Sequence, residues 1–165
     1  MNLAELFDAH HDTLFRYLVR FCGDRDLAAD AAQEAFVRII ERPPPNGATR
    51  AWLFRVATNV ILESRRTAWR RRRLLEGAAG RAPMADPPRD PHELVEARDD
   101  HARVVAALSA LSPKERSAVL MREEGFAHRE IAEALGTTTG SVGTLLARAL
   151  DRLGKALLSS THPES

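Results

Sequence analysis

The arginines of this chain are concentrated in one short segment. Residues 50–73 contain eight arginines and a single acid, Glu63, whereas residues 1–49 contain five arginines against eight acids. Because the formal net charge of the whole chain is only +1, the local excess is not a general solubility feature. A cationic segment of this kind is typical of a surface that contacts the phosphates of a polyanion.

A second pattern, between residues 128 and 148, is typical of a helix-turn-helix. Its small or apolar positions have the spacing at which two short helices cross, and they are Ile131, Ala132, Leu135, Gly136, Val142 and Leu145. Gly136 supplies the turn at low steric cost. The second helix would enter the major groove and present Thr138, Thr139, Ser141, Thr144 and Arg148 to DNA. A plain helical hairpin is the alternative interpretation.

Patterns typical of catalysis or metal binding are missing from the sequence. The six histidines include no HExxH motif and no Cys/His pair at zinc spacing, and there is no glycine-rich phosphate loop or nucleophile elbow. The single cysteine, Cys22, cannot form an internal disulfide, which favours a reducing, cytoplasmic location. We therefore expect no catalytic residue, no metal, no cofactor and no membrane insertion.

Apolar residues recur at helical spacing along most of the chain. The pattern predicts a first helix that ends at Gly23, then helices over about 26–41, 49–73, 93–111 and 113–125, followed by the helix-turn-helix. Ser112, Pro113 and Glu115 form a predicted capping box at the start of one helix. The positions predicted to face inward include Leu3, Phe7, Ile40, Ser64, Leu94, Ala97 and Val104.

Proline and glycine between residues 74 and 92 indicate a flexible linker. Since no segment alternates like a strand, the sequence predicts an all-α protein of two small helical bundles, the second of which contains the helix-turn-helix. The predicted divisions are a first domain over 1–73, the linker over 74–92, a second domain over 93–158 and a disordered tail over 159–165.

Four stretches in order resemble the extracytoplasmic-function (ECF) subfamily of the sigma-70 family of RNA polymerase sigma factors. They are DLAADAAQEAFVRII (26–40), AWLFRVATNVILESRR (51–66), LSALSPKER (108–116) and the helix-turn-helix segment 125–153. The resemblance covers nearly the whole chain. It implies a non-catalytic subunit whose first domain binds core polymerase and opens the minus-10 element, and whose second domain reads the minus-35 element.

The resemblance also implies roles for individual residues. Docking on the clamp helices of the largest polymerase subunit would involve Asp30, Gln33, Glu34 and Arg38. Contacts to minus-10 DNA would involve Asn46, Arg50, Arg55, Asn59, Arg65, Arg66, Trp69 and Arg70. The helix-turn-helix residues named above would contact minus-35 DNA. Further implied partners are the polymerase flap and an anti-sigma factor of unknown type.

The helix-turn-helix departs from the family at two positions. Gly143 and Leu145 stand where the family usually has cations, which predicts weak minus-35 binding. Two other functions are compatible with parts of the sequence. A stand-alone helix-turn-helix regulator leaves the arginine-rich helix unexplained, and a helical adaptor does not explain the spacing over 131–145. Trp69 can be either a packing residue or a stacking platform for a base.

Overall fold

The computed structural model describes residues 2–45, 47–77 and 99–161. All regular secondary structure in these ranges is helical, which confirms the predicted all-α class. The seven helices described are α1 (Leu3–Cys22), α2 (Arg25–Glu41), α3 (Thr49–Glu76), α4 (Asp99–Ser109), α5 (Pro113–Glu123), α6 (His128–Leu135) and α7 (Thr139–Thr161).

Side chains next to the helix ends explain where the first helices begin and end. The Asn2 side chain accepts a hydrogen bond from the Glu5 amide at 2.9 Å, and the Glu5 carboxylate accepts one from the Asn2 amide at 3.1 Å. Gly23 ends α1 with a φ of 73°, a left-handed conformation that favours glycine. Asp24 then caps α2 by accepting from two amides of its first turn.

The predicted caps of the second bundle are confirmed. The Ser112 hydroxyl accepts from the Glu115 amide at 3.2 Å, and the Glu115 carboxylate accepts from the Ser112 amide at 3.3 Å. Pro113 is the first residue of α5, where its missing amide hydrogen costs no helical bond. Gly136 forms the turn between α6 and α7 with a φ of 66°.

The first bundle packs α1, α2 and α3 around a common apolar core. Leu14, Leu18 and Phe21 of α1 are fully buried. Helix α2 contributes mainly small residues, which allow a close approach of the neighbouring backbones: Ala28, Ala31, Ala32 and Ala35. Phe54 and Ile61 of α3 complete this core. Truncating a buried side chain of this size to alanine typically lowers the free energy of unfolding by about 3 kcal/mol.

Several positions predicted to face inward are exposed, so those predictions are wrong. Leu3, Phe7 and Ile40 are exposed. The Phe7 ring still lies 5.2 Å from that of Phe36, so Phe7 packs at the rim of the contact between α1 and α2 and not in the core. Ser64 is exposed while its neighbour Arg65 is half-buried and contacts Cys22 of α1, so α1 lies against a face of α3 that does not include Ser64. Val104 is exposed while Val105 is buried, since neighbouring helical residues point about 100° apart.

Two helices extend further than predicted. Helix α3 ends at Glu76 instead of residue 73, and Gly77 follows it in a left-handed conformation with a φ of 63°. Helix α7 reaches Thr161, past the predicted end of the second domain. The predicted linker from residue 78 onward, Leu94 and Ala97 of the predicted fourth helix, and residues 162–165 of the predicted tail lie outside the described residues.

The second bundle places α4, α5 and α6 around α7. Ile131 of α6 and Val142, Leu146 and Ala149 of α7 are buried, which confirms the crossing of a helix-turn-helix. Leu145 is half-buried and packs on the edge of this core. The two bundles also pack on each other, because Phe54 of α3 and Phe126 lie edge to face with ring centroids 4.8 Å apart.

Candidate nucleic-acid interface

The residues predicted to dock on polymerase share one face of α2. Asp30, Gln33 and Glu34 are exposed, at the i, i+3 and i+4 spacing that places side chains side by side. Arg38 lies one turn further along and donates to the Glu34 carboxylate at 2.8 Å. This exposed polar face therefore carries carboxylate and amide acceptors, of which the Glu34 carboxylate is paired with Arg38.

A groove of about 420 Å³ between α2 and α3 brings two of the predicted sets together. Glu34 and Arg38 of the docking set line one wall. Trp52 and Asn59 of α3 line the other, together with Glu63. Two residues predicted to dock on polymerase and one predicted to contact minus-10 DNA, Asn59, thus border the same depression.

The cationic end of α3 is exposed. Arg66 and Arg70 both project from the part of the helix beyond the bundle core. Trp69 lies half-buried between them, and the guanidinium of Arg73 sits 4.8 Å from its ring centroid. The structure therefore gives Trp69 a cation–π contact, and the guanidinium groups around it form a surface suited to phosphates.

Arg65 has a different environment from its neighbour Arg66. Its Nη2 donates to the carbonyl oxygen of Cys22 in the last turn of α1. A cation at the C-terminal end of a helix is favourable because the last carbonyls carry partial negative charge. Arg65 therefore helps to attach α3 to α1, a structural role that the sequence pattern did not reveal.

Arg50, also predicted to bind minus-10 DNA, contacts an acid of the second bundle. Its Nη2 donates to both carboxylate oxygens of Glu130, each at 3.1 Å. The guanidinium carbon lies 3.9 Å from the ring centroid of Phe126. Partial burial, and then the charge of Arg50, lower the pKa of the nearby His10. In this arrangement Arg50 has a protein partner at the position where a phosphate would be expected.

The other predicted residues of the first half of α3 face a cavity between the bundles. Arg55 and Asn59 line a space of about 240 Å³ that Lys114 and Ser117 of α5 close from the opposite side. Arg55 also lies 5.7 Å from the ring centroid of Trp52. Asn46, the remaining predicted minus-10 residue, lies outside the described residues.

The predicted recognition residues lie together at the exposed start of α7. The Thr138 hydroxyl accepts from the Ser141 amide at 3.2 Å, and the two hydroxyls are 2.8 Å apart. Thr138 therefore caps α7, the Ser141 hydroxyl contacts this cap, and both residues are exposed. Thr139, Thr144 and Arg148 are exposed as well and point away from the buried positions of the same helix.

The two family departures on this helix are not equivalent. A Cβ atom built on Gly143 meets nothing within 4 Å, so the position has room for a side chain. Leu145 instead packs against the core of the second bundle. A cation can therefore be accommodated at the first position, whereas at the second it would replace an apolar contact.

Sequence reasoning missed the residues that join the two bundles. Arg16 of α1 forms a two-point ion pair with Glu124, with N–O distances of 2.9 and 2.7 Å. The buried Tyr17 hydroxyl lies 2.8 Å from the Thr58 hydroxyl and donates to the Ser117 hydroxyl at 3.0 Å. These partners are far apart in sequence, so no local pattern signals them.

Comparisons with known proteins agree with this two-part architecture. The model of Sigma-70 region 2 matches residues 6–71, and that of Sigma-70, region 4 matches residues 101–153. The ECF RNA polymerase sigma factor SigL of Mycobacterium tuberculosis is 35% identical over 150 residues, covering 87% of this chain and 82% of SigL. The RNA polymerase sigma-E factor of Streptomyces coelicolor is 33% identical over 164 residues, covering 96% and 88% respectively.

A solved structure has the same fold. The sigma factor RpoE from Bartonella quintana, crystallised in complex with the anti-sigma factor NepR, superposes with a TM-score of 0.67 over 94% of this chain and 93% of that one. The sequence identity is 21%, so this likeness concerns the fold. None of the described helices is long and apolar enough to cross a membrane.

The fold, the helix-turn-helix and the arginine-rich helix define a non-catalytic, DNA-binding subunit of the transcription machinery. The chain belongs to the sigma-70 family, as an ECF RNA polymerase sigma factor. It directs promoter-specific initiation, and sigma factors do so by binding core RNA polymerase and promoter DNA. This assignment decides against the stand-alone regulator and the adaptor.

Proposed function

We propose that the polar face of α2 docks on the clamp helices of the largest polymerase subunit through Asp30, Gln33, Glu34 and Arg38. The observation that carries this proposal is the alignment of exposed acceptors along one helix face. Desolvated hydrogen bonds between charged groups are strong enough to fix the register of an interface. The second bundle would approach the flap of the polymerase, as in the family that the chain belongs to.

Minus-10 DNA would be held along α3. The exposed arginines Arg66 and Arg70 would neutralise phosphates of the unpaired strand, and Trp69 would offer a face for stacking once Arg73 moves aside. The residues nearer the start of the helix would complete this set: Asn46, Arg50, Arg55 and Asn59. Arg65 would support the helix from behind through its bond to α1.

Minus-35 DNA would be read by the start of α7. The proposed contacts are Thr138, Thr139, Ser141, Thr144 and Arg148, all of which are exposed. Hydroxyl groups can donate to or accept from base edges and phosphates, but they neutralise no charge. With Arg148 as the cation of this set, the second bundle would bind duplex DNA weakly unless the core enzyme holds both bundles on the same promoter.

The further partner would be an anti-sigma factor, because the structurally similar RpoE was crystallised with one. Its type and its contacts are left open. We also propose that the chain works in the cytoplasm, where core polymerase and promoters are found. The functional division would follow the fold, with minus-10 function in residues 1–73 and minus-35 function in residues 93–158.

Run-off transcription with purified core polymerase tests the proposal as a whole. Core enzyme supplemented with the chain should produce transcripts from a genomic promoter library that core enzyme alone does not produce. If the chain binds promoter duplex without core and adds no transcripts, the proposed mechanism is wrong.

Docking on α2 is tested by Asp30→Arg combined with Glu34→Arg. Reversing both charges should weaken core binding by on the order of 3 kcal/mol, since acceptors are lost and like charges are brought together. Asp12→Arg combined with Glu76→Arg reverses two exposed acids outside the α2 face and serves as the control. Core affinity that is equal in the two double variants would remove the α2 face from the interface.

A further inference from the structure

We infer that the cavity between α3 and α5 binds a small phosphomonoester, with the phosphate between Arg55 and Lys114 and a body of about one ring against the apolar wall. The cavity has a volume of about 240 Å³. This is slightly below the range of about 300–1,000 Å³ that is typical of small-molecule pockets, so the ligand would be a compact one. The inference goes beyond the proposed function, which assigns no small ligand to the chain.

The polar side of the cavity is cationic. Arg55 of α3 and Lys114 of α5 are both exposed and line the cavity from opposite sides. Neither forms an ion pair with another described residue, and none of the described residues that line the cavity is acidic. Two cations that face one space repel each other. An anion between them would offset this repulsion and accept charge-assisted hydrogen bonds from both.

Neutral donors extend the polar side. The first residues of α5, Pro113 and Lys114, line the cavity, so the positive end of this helix dipole lies beside it. Ser117, which is only 1% exposed, lines the cavity as well. Its hydroxyl accepts from Tyr17, and no described residue accepts the hydrogen of that hydroxyl. Since buried donors are rarely left without an acceptor, this hydrogen points to an occupant that supplies an oxygen.

The remaining wall of the cavity is apolar. Met121 of α5 is fully buried, and Leu62 of α3 and Leu135 of α6 are half-buried. A ring placed against this wall would remove apolar surface of both partners from water, which favours binding. The thioether of a methionine also packs favourably against aromatic rings. The complementary ligand therefore has an anionic head and an apolar body, and inorganic phosphate alone would use only half of the site.

The charge of the site distinguishes a phosphomonoester from the backbone of DNA. A phosphomonoester carries a charge of about −1.5 to −2 at neutral pH, which nearly balances two cations. A backbone phosphate carries a single negative charge and is joined to a sugar on both sides. The cavity offers two cations and one apolar wall, so it fits the monoester better.

Methionine methyl signals in NMR spectra of the full chain would report binding directly. The chain has three methionines, of which Met121 lines the cavity. In chain labelled with ¹³C-methyl methionine, phenyl phosphate should shift the Met121 signal in a saturable manner. Met121→Leu identifies that signal by its loss. Phenol and inorganic phosphate each have one half of this probe, and both should bind more weakly by about tenfold or more.

Removal of one cation tests the position of the phosphate. Lys114→Gln should weaken phenyl phosphate binding by about tenfold, because a hydrogen bond to a charged group is lost. Lys155→Gln makes the same change at an exposed position of α7 and should bind like unaltered chain. Asn59→Asp should weaken binding by a similar factor, since a carboxylate then replaces an amide donor in the wall. Unchanged midpoints in urea show that the variants are folded.

A single-stranded oligonucleotide without a terminal phosphate separates the two sources of phosphate. It should bind Lys114→Gln as tightly as it binds unaltered chain, because Lys114 lies outside every proposed DNA contact set. If Lys114→Gln weakens the oligonucleotide by the same factor as phenyl phosphate, the cavity takes backbone phosphates and the inference is wrong.

Two further results would overturn the site. One is a Met121 signal that phenyl phosphate does not shift in a saturable manner. The other is equal affinity for phenyl phosphate in Lys114→Gln and Lys155→Gln. None of these measurements involves polymerase, so failure of the run-off experiment would reject the proposed function and leave this site standing.

Discussion

The first half of α3 and the start of α7 are both proposed DNA contacts, yet their surroundings in the chain are opposite. Arg50 on α3 is paired with Glu130 and covered by Phe126. On α7, Thr144 and Arg148 are exposed. Arg50 at the start of α3 is thus covered by residues of the second bundle, whereas Arg66 and Arg70 at the other end of the same helix are exposed, as is the hydroxyl-rich start of α7.

The two surfaces also differ in their chemistry. A row of guanidinium groups attracts any polyanion without regard to sequence, and Arg66 and Arg70 of this row lie exposed at the end of α3. Hydroxyl groups neutralise no charge, so we expect the start of α7, with Arg148 as its cation, to bind duplex weakly.

The largest expected effect concerns the buried cation that joins the bundles. Arg116→Met should lower the free energy of unfolding of the full chain by about 3 kcal/mol, because carbonyls of α1 and of the α4 end lose a buried donor. Urea denaturation measures this value. The exposed Arg129→Met is the control, and a loss below roughly 1 kcal/mol would show that the carbonyl bonds of this buried cation contribute little to stability.

The next largest effect concerns promoter opening and the exposed arginines at the end of α3. Arg66→Glu combined with Arg70→Glu should weaken promoter opening by holoenzyme by on the order of 2 kcal/mol, or about thirtyfold. Permanganate reactivity of unpaired thymines measures the opening. Core binding, measured in parallel, should be unchanged, and an equal loss of both would contradict the division between α2 and α3. Arg65 is left intact because it binds the Cys22 carbonyl.

Tyr17 offers a spectroscopic test of the packing between the two bundles. It is the only tyrosine in the chain, and burial raises its pKa to about 12 against the weaker opposing effect of the Ser117 and Thr58 hydrogen bonds. Because the folded chain holds the proton more tightly than the unfolded chain, this contribution to stability is complete below pH 10 and is lost as the pH rises towards 12.

Absorbance of the phenolate should follow the opening of the bundles. In Glu124→Arg the Tyr17 pKa should fall towards the ordinary value of 10.0, because the hydroxyl gains access to water. Glu123→Arg should titrate like unaltered chain. A Tyr17 pKa that is the same in both variants would mean that the first bundle alone buries this hydroxyl.

Local features of the fold were predictable from the sequence, because they depend on neighbouring residues. The cap at Ser112, the turn at Gly136 and the buried Ile131 and Val142 each follow from a pattern of a few positions. Helical periodicity also assigned most of the core. It failed at Ser64, where the face of α3 turned towards α1 includes the neighbouring Arg65 instead, because the helical period alone does not give the exact rotation of a long helix against its partners.

The candidate site was predictable only in part. The sequence pattern placed Arg50, Arg65 and Arg66 in one class, but the structure gives the first an acid partner, the second a carbonyl partner and leaves the third exposed. Arg50 and Glu130 are separated by 80 residues, and the segment between them includes residues of the predicted linker. No local rule predicts such a pair, since it depends on how the bundles dock.

The smallest expected effect concerns the recognition helix. Gly143→Lys should raise the stability of α7 by about 1 kcal/mol, because lysine has the higher helix propensity. It should also steepen the slope of log duplex affinity against log salt by about 0.9, since one more phosphate is neutralised. The side chain has room, as a Cβ at this position meets nothing within 4 Å.

Gly154→Lys is a matched control for this variant on the same helix. Gly154 is exposed and its Cβ would also meet nothing within 4 Å, but it lies three turns beyond Gly143. Both variants should gain helix stability, while only Gly143→Lys should bind minus-35 duplex more tightly at low salt. Equal duplex affinity in the two lysine variants would mean that α7 meets DNA through a face other than the one that carries Gly143.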